Sequence, residues 1–257
     1  MNTISLRNDK IGSGVLLLSG WYWTEEQSIM KFAGFLFFST LEYMSSVYFI
    51  LILFRFKVME NLLKFVVFSI VLSFVSNSLL TESLQVVSSL IQPALMIFFV
   101  AFFLRVHVFN SMIMVITSYV TGFIIQSTIV AMALHIGAME EVVPYTANAF
   151  IIQASSSFVM FMFALVTYLQ KGGFSFIDNE SRLKRTKFFS LENRSFIIFL
   201  TLSIMAVFAA GLLLNISKNP PYLLVSLILF IALMGLLYIC LKRDGAENGR
   251  SDRSFNR

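Results

Sequence analysis

FLFFSTLEYMSSVYFILILF, residues 35–54, carries a single carboxylate, Glu42, in an otherwise uncharged apolar run. A helix rises about 1.5 Å per residue, so a run of about 20 such residues crosses a hydrocarbon core about 30 Å thick. This stretch therefore reads as a membrane span with an acid near its middle. An ionised carboxylate there costs about 3 kcal/mol on insertion scales, so Glu42 is expected to face other helices, protonated or paired, and not lipid. Ser39, Thr40, Ser45 and Ser46 surround it on the same helix. One reading makes Glu42 a ligand or proton contact. The other makes it a neutral acid hydrogen-bonded to a neighbouring helix.

The rest of the chain agrees with a lipid solvent. Of 257 residues, 58% are hydrophobic and 13% charged, and the mean hydropathy is +0.82. Soluble domains carry about 45–50% apolar and about 25% charged residues. So little charge cannot coat a globule of this size. The fold class expected is all-α, a polytopic transmembrane helical bundle in a cell membrane. The single cysteine, Cys240, excludes an internal disulfide and a cysteine-based metal cage. The net charge of +5 does not point to nucleic acid, because the basic residues punctuate apolar runs.

Seven runs are long enough to span, at roughly 32–54, 62–80, 84–104, 109–136, 148–169, 195–214 and 222–241. They divide the chain into an N-terminal segment (1–31), a bundle (32–241) and a short polar tail (242–257). IGSGVLLLSGWYW, at 11–23, is too short to span and holds three glycines. It reads as an interfacial segment anchored by Trp21, Tyr22 and Trp23, or as a signal peptide behind Arg7 and Lys10.

Basic residues fall in every second connection. Arg55, Lys57 and Lys64 follow the first run, Arg105 the third, and Lys242, Arg243, Arg250, Arg253 and Arg257 the last. The link between the fifth and sixth runs, GGFSFIDNESRLKRTKFFSLENRSF at 172–196, is the most basic, and its RLKRTK with Phe188 and Phe189 suits an anionic membrane surface. The alternate connections, TESLQ (81–85), GAMEEVVPYTAN (137–148) and NISKNPPY (215–222), hold only Lys218. The positive-inside rule then sets the C-terminus in the cytoplasm and the alternate loops outside. Were 11–23 to cross, only the N-terminus would change sides.

Other polar residues at membrane depth are Asn77, Gln92, Gln126 and Gln153, each able to hydrogen-bond across helices at about 1 kcal/mol. With Glu42 they are candidates to line a shared outer cavity. Glu140 and Glu141, in an outer loop, complete the candidate ligand-binding set with Glu42, Gln92, Gln126 and Gln153. No catalytic set is legible. There is no HExxH, the Glu140–Glu141 pair lacks the partners a paired-glutamate protease needs, and Cys240 has only His107 on its own side, with His135 on the other. The expectation is a protein that is not an enzyme and needs no cofactor or metal. Only Pro93 interrupts a span and no internal repeat is evident, unlike carriers with paired broken helices.

A first span with a glutamate ending in FILILFRFK, short connections, a basic link before a last hairpin, and a final helix leaving through LYICLKR together resemble a bacterial sensor module. The family resembled is the peptide-sensing histidine kinases of the AgrC-like type, over residues 32–243 and by layout alone. In that family the last helix leads to a cytoplasmic kinase. No histidine follows His135 here and no nucleotide-binding glycine motif exists, so the kinase residues have no positions to map onto. The resemblance implies a sensor-like or receptor-like membrane protein for signal transduction without its own output domain. Its expected partners are the lipid bilayer, an extracellular small molecule or peptide, and a cytoplasmic kinase. The alternatives are the membrane subunit of a transport system working with an ATPase, or a non-catalytic assembly or immunity factor.

Overall fold

A computed structural model describes the backbone of residues 9–80, 85–177, 194–216 and 220–255, with side chains for 29–80, 88, 90–177, 194–214 and 220–245. Among these residues all regular structure is helical: α1 (Asp9–Leu53), α2 (Val58–Ser78), α3 (Gln85–Leu104), α4 (Val108–His135), α5 (Ala147–Leu169), α6 (Arg194–Ile216) and α7 (Tyr222–Phe255). Six of them are long and apolar enough to cross a membrane; the described apolar part of α3, Leu90–Leu104, is shorter. Most helix ends lie within four residues of the apolar runs, because the same Phe, Leu, Ile and Val residues supply both hydropathy and helix. The exceptions are the chain's two ends. Residues 11–23 are continuous in helix with the first span, and α7 continues through the polar segment to Phe255. RLKRTK, Phe188 and Phe189 lie outside the described residues.

The bundle is built around α4, which touches α1, α3, α5, α6 and α7. Ser111, Thr117, Ser118 and Ser127 are buried along it beside Ile113, Met114 and Val120. Small residues let neighbouring backbones come close where lipid supplies no hydrophobic drive between helices. Their hydroxyls are satisfied locally: Thr117 Oγ1 donates to the Ile113 carbonyl at 2.7 Å and Thr121 Oγ1 to Thr117 at 2.7 Å. Ser118 Oγ instead crosses to the Ser46 carbonyl of α1 at 3.0 Å. Thr40 and Ser73 hydroxyls join α1 to α2 at 2.9 Å.

At the end of the bundle bearing the basic turns, α1 and α5 both finish in Schellman-type caps. Arg55 N–H donates to Ile52 and Phe56 N–H to Leu51, while Lys171 N–H donates to Tyr168 and Gly172 N–H to Thr167. Such caps place their turning residue in the left-handed region, normally glycine's role. Here Arg55 (φ 56°) and Lys171 (φ 51°) hold it. The Arg55 guanidinium donates to the Lys171 carbonyl at 3.0 Å and the Gly172 carbonyl at 3.4 Å. One strained turn thus caps the other, which offsets the cost of a side chain at positive φ.

Residues 172–177 then fold back as a strap beneath the bundle. Phe174 N–H donates to the Leu53 carbonyl at 2.7 Å. Asp244 Oδ1 on α7 accepts from Ser175 N–H (2.7 Å), Ser175 Oγ–H (2.8 Å) and Phe176 N–H (3.0 Å). Phe176 packs on Phe54, Phe174 and Phe196. The Arg243 guanidinium lies 5.1 Å from the Phe176 ring centroid and 5.5 Å from that of Phe196, within cation–π range. The strap ties α1, α5, α6 and α7 together.

Candidate functional site

Residues three, four and seven apart share one face of a helix. On α1 that spacing gathers Ser39, Glu42, Tyr43 and Ser46; on α4 it gathers Tyr119, Gly122, Phe123 and Gln126. The two stripes line one chamber of about 240 Å³, closed by Ser76 of α2, Gln92 and Met96 of α3, and Gln153 of α5. Five helices contribute, so four of the six residues chosen from sequence, Glu42, Gln92, Gln126 and Gln153, meet in one cavity.

Its polar groups are partly paired with each other. Gln92 Nε2 donates to Ser76 Oγ at 3.1 Å, and Gln153 Nε2 to Ser39 Oγ at 3.3 Å. The Gln153 amide lies within hydrogen-bonding reach of the Glu42 carboxyl, Tyr43 lies beside Ser76, and Tyr119 is close to Glu42. Gln153 Oε1 is buried with no partner. An unpaired buried acceptor costs about 1–3 kcal/mol, and a donor from a bound molecule would relieve it. Ser45, three residues after Glu42, instead faces the packed interior and donates to the Glu42 backbone carbonyl at 2.7 Å.

The chamber continues into a second of about 360 Å³ at the end of the bundle away from the basic turns. The two share Phe35, Leu80, Phe123, Gln126 and Gln153. Val142, Pro144 and Tyr145, from the α4–α5 loop, form its mouth with Leu214 and Tyr222. Tyr145 (φ 63°) donates from its hydroxyl to Asn77 Oδ1 at 2.8 Å, and its ring packs 5.2 Å from that of Phe35. Burial raises the Tyr145 pKa above the ordinary tyrosine value, which preserves that donor. Asn77 therefore works as a loop anchor, outside the chamber wall.

Glu140 and Glu141 do not line either chamber. Both are exposed in the same loop. His107 caps α4, its Nδ1 accepting from Phe109 N–H at 3.3 Å, and Cys240 is buried in α7. Tyr43, Tyr119 and Ser76 were missed in the sequence. The helical spacing of Tyr43 with Ser39 and Ser46, and of Tyr119 with Gln126, is the signal that could have found two of them.

No known protein family matches the chain, nor does any curated protein or solved structure.

Proposed function

We propose that this chain is a receptor-like membrane module that binds a small extracellular ligand in the Glu42 chamber and passes occupancy to its inner end. The observation that carries the reading is the convergence of Glu42, Gln92, Gln126 and Gln153, from four helices, on one cavity with an open mouth. Ligand sites combine apolar walls with a few polar groups that fix orientation; here Phe35, Phe123 and Met96 supply the walls. Two of the chamber's helices, α1 and α5, end on the strap that Asp244 of α7 holds, so a change in their spacing would reach α7. A transport subunit is the competing reading.

Orientation is part of the proposal. Reporter fusions after Arg105 and after Arg257 are expected to read cytoplasm, and a fusion at Tyr145 the outside. The reverse pattern would put the mouth in the cytoplasm and end the extracellular reading.

The functional experiment screens a small-molecule library for compounds that raise the thermal unfolding temperature of the purified protein, then loads proteoliposomes with each one found. A receptor binds without accumulating ligand: stabilisation is expected, its loss on Gln126→Leu is expected, and net flux is not. Protein-dependent accumulation inside the vesicles would replace the receptor with a transporter.

A further inference from the structure

We propose that the Glu42 chamber selects a small organic cation, a protonated amine or a guanidinium carrying its own hydrogen-bond donors. This rests on the chamber being a ligand site and names the chemistry of the ligand. Among the described lining residues of both chambers, Glu42 is the one charged side chain, and none is Lys, Arg or His. Among the described residues, then, no protein cation lines either chamber to pair with its carboxylate. At about 240 Å³ the inner chamber far exceeds the space of one water, so it has room for a small organic molecule.

The remaining groups favour the same charge. Gln153 Oε1 is an acceptor without a partner beside the carboxylate. Tyr119 and Phe123 present aromatic rings in the same stripe of α4, and Tyr43 does so from α1. Ring faces carry negative quadrupole density and attract ammonium and guanidinium groups. At the mouth, the loop that supplies Val142, Pro144 and Tyr145 also carries exposed Glu140 and Glu141, which concentrate cations near the opening. An anion would meet a carboxylate, acceptor oxygens and ring faces. A neutral ligand would meet Glu42 as the uncharged acid and gain no ionic contact from it.

Two positions report on the chamber directly. Gly122 lines it, and an added Cβ there would meet only Ser46 Oγ, at 4.0 Å. Ser76 lines it from α2. Gly122→Cys and Ser76→Cys are made separately, and the unsubstituted chain, with its buried Cys240, gives the blank. Each is treated with methanethiosulfonate reagents of similar size, one bearing a trimethylammonium group and one a sulfonate, with rates normalised to a free thiol in solution. The cationic reagent is expected to react about tenfold faster or more, as charge-focusing clefts do. Adding Glu42→Gln should bring the two rates together. Equal normalised rates with Glu42 present would overturn the cation assignment while leaving an accessible cavity. A preference that survives Glu42→Gln would overturn Glu42 as its source. Failure of both reagents at both positions would remove the cavity, and with it the receptor reading.

Discussion

Gly173→Ala is expected to lower the thermal unfolding temperature of the detergent-solubilised protein by roughly 10 °C, at about 2–4 °C per kcal/mol for chains of this size. Two independent effects add. Gly173 sits at φ 101°, where a side chain is strained by about 1–3 kcal/mol. Its new Cβ would also lie 2.6 Å from the Leu53 carbonyl oxygen and 3.1 Å from that of Ile52. Those are backbone atoms at the end of α1, so relief requires moving the strap. Moving it breaks the 2.7 Å bond from Phe174 N–H to Leu53. Gly245→Ala, where nothing lies within 4 Å, is the control and should leave the transition in place or raise it slightly. Equal melting of Gly173→Ala and the unsubstituted chain would mean that the strap does not take this path.

The second large effect belongs to Asp244. Its Oδ1 accepts three hydrogen bonds from Ser175 and Phe176. Bonds to a charged acceptor contribute about 1.5–3 kcal/mol each, but the site is only half-buried and water recovers part of the loss. Asp244→Ala should therefore destabilise the strap by about 2–3 kcal/mol, with Asp244→Asn roughly half as severe because an amide oxygen still accepts. Amide hydrogen exchange reads this locally. The Ser175 and Phe176 amides should exchange about 100-fold faster in Asp244→Ala, the equivalent of about 2.7 kcal/mol, while amides in the middle of α4 stay protected. Unchanged protection at both strap amides would show that Asp244 does not hold them.

These two residues mark where reading the sequence stops. The helices were legible because a bilayer imposes length and hydropathy on the chain, and both are local properties. Much of the chamber was legible too, since an acid and three glutamines at membrane depth have few tolerable positions other than the interior. Convergence was not, because which helices face each other is decided by packing shape. Nothing in residues 109–136 alone says that α4 becomes the central helix. The strap was hidden for a related reason. GGFSFID reads as the start of a basic link, and its acceptor lies 69 residues from Ser175. Hydropathy likewise locates the edge of the bilayer and not the end of a helix: the apolar run ends at Leu241, whereas α7 continues to Phe255.

The central position of α4 has a consequence for how the chain is made. Ribosomal synthesis delivers α4 before α5, α6 and α7, three of the five helices it touches. For that interval the faces it will turn to α5, α6 and α7 have no protein partner. Thr117 and Thr121, which return their hydroxyls to carbonyls one turn back, carry their own partners into the bilayer. Ser118 depends on Ser46, which α1 has already delivered. The helix can wait in the membrane without an orphaned hydroxyl at any of these positions, so late docking of α7 completes the assembly instead of rescuing it.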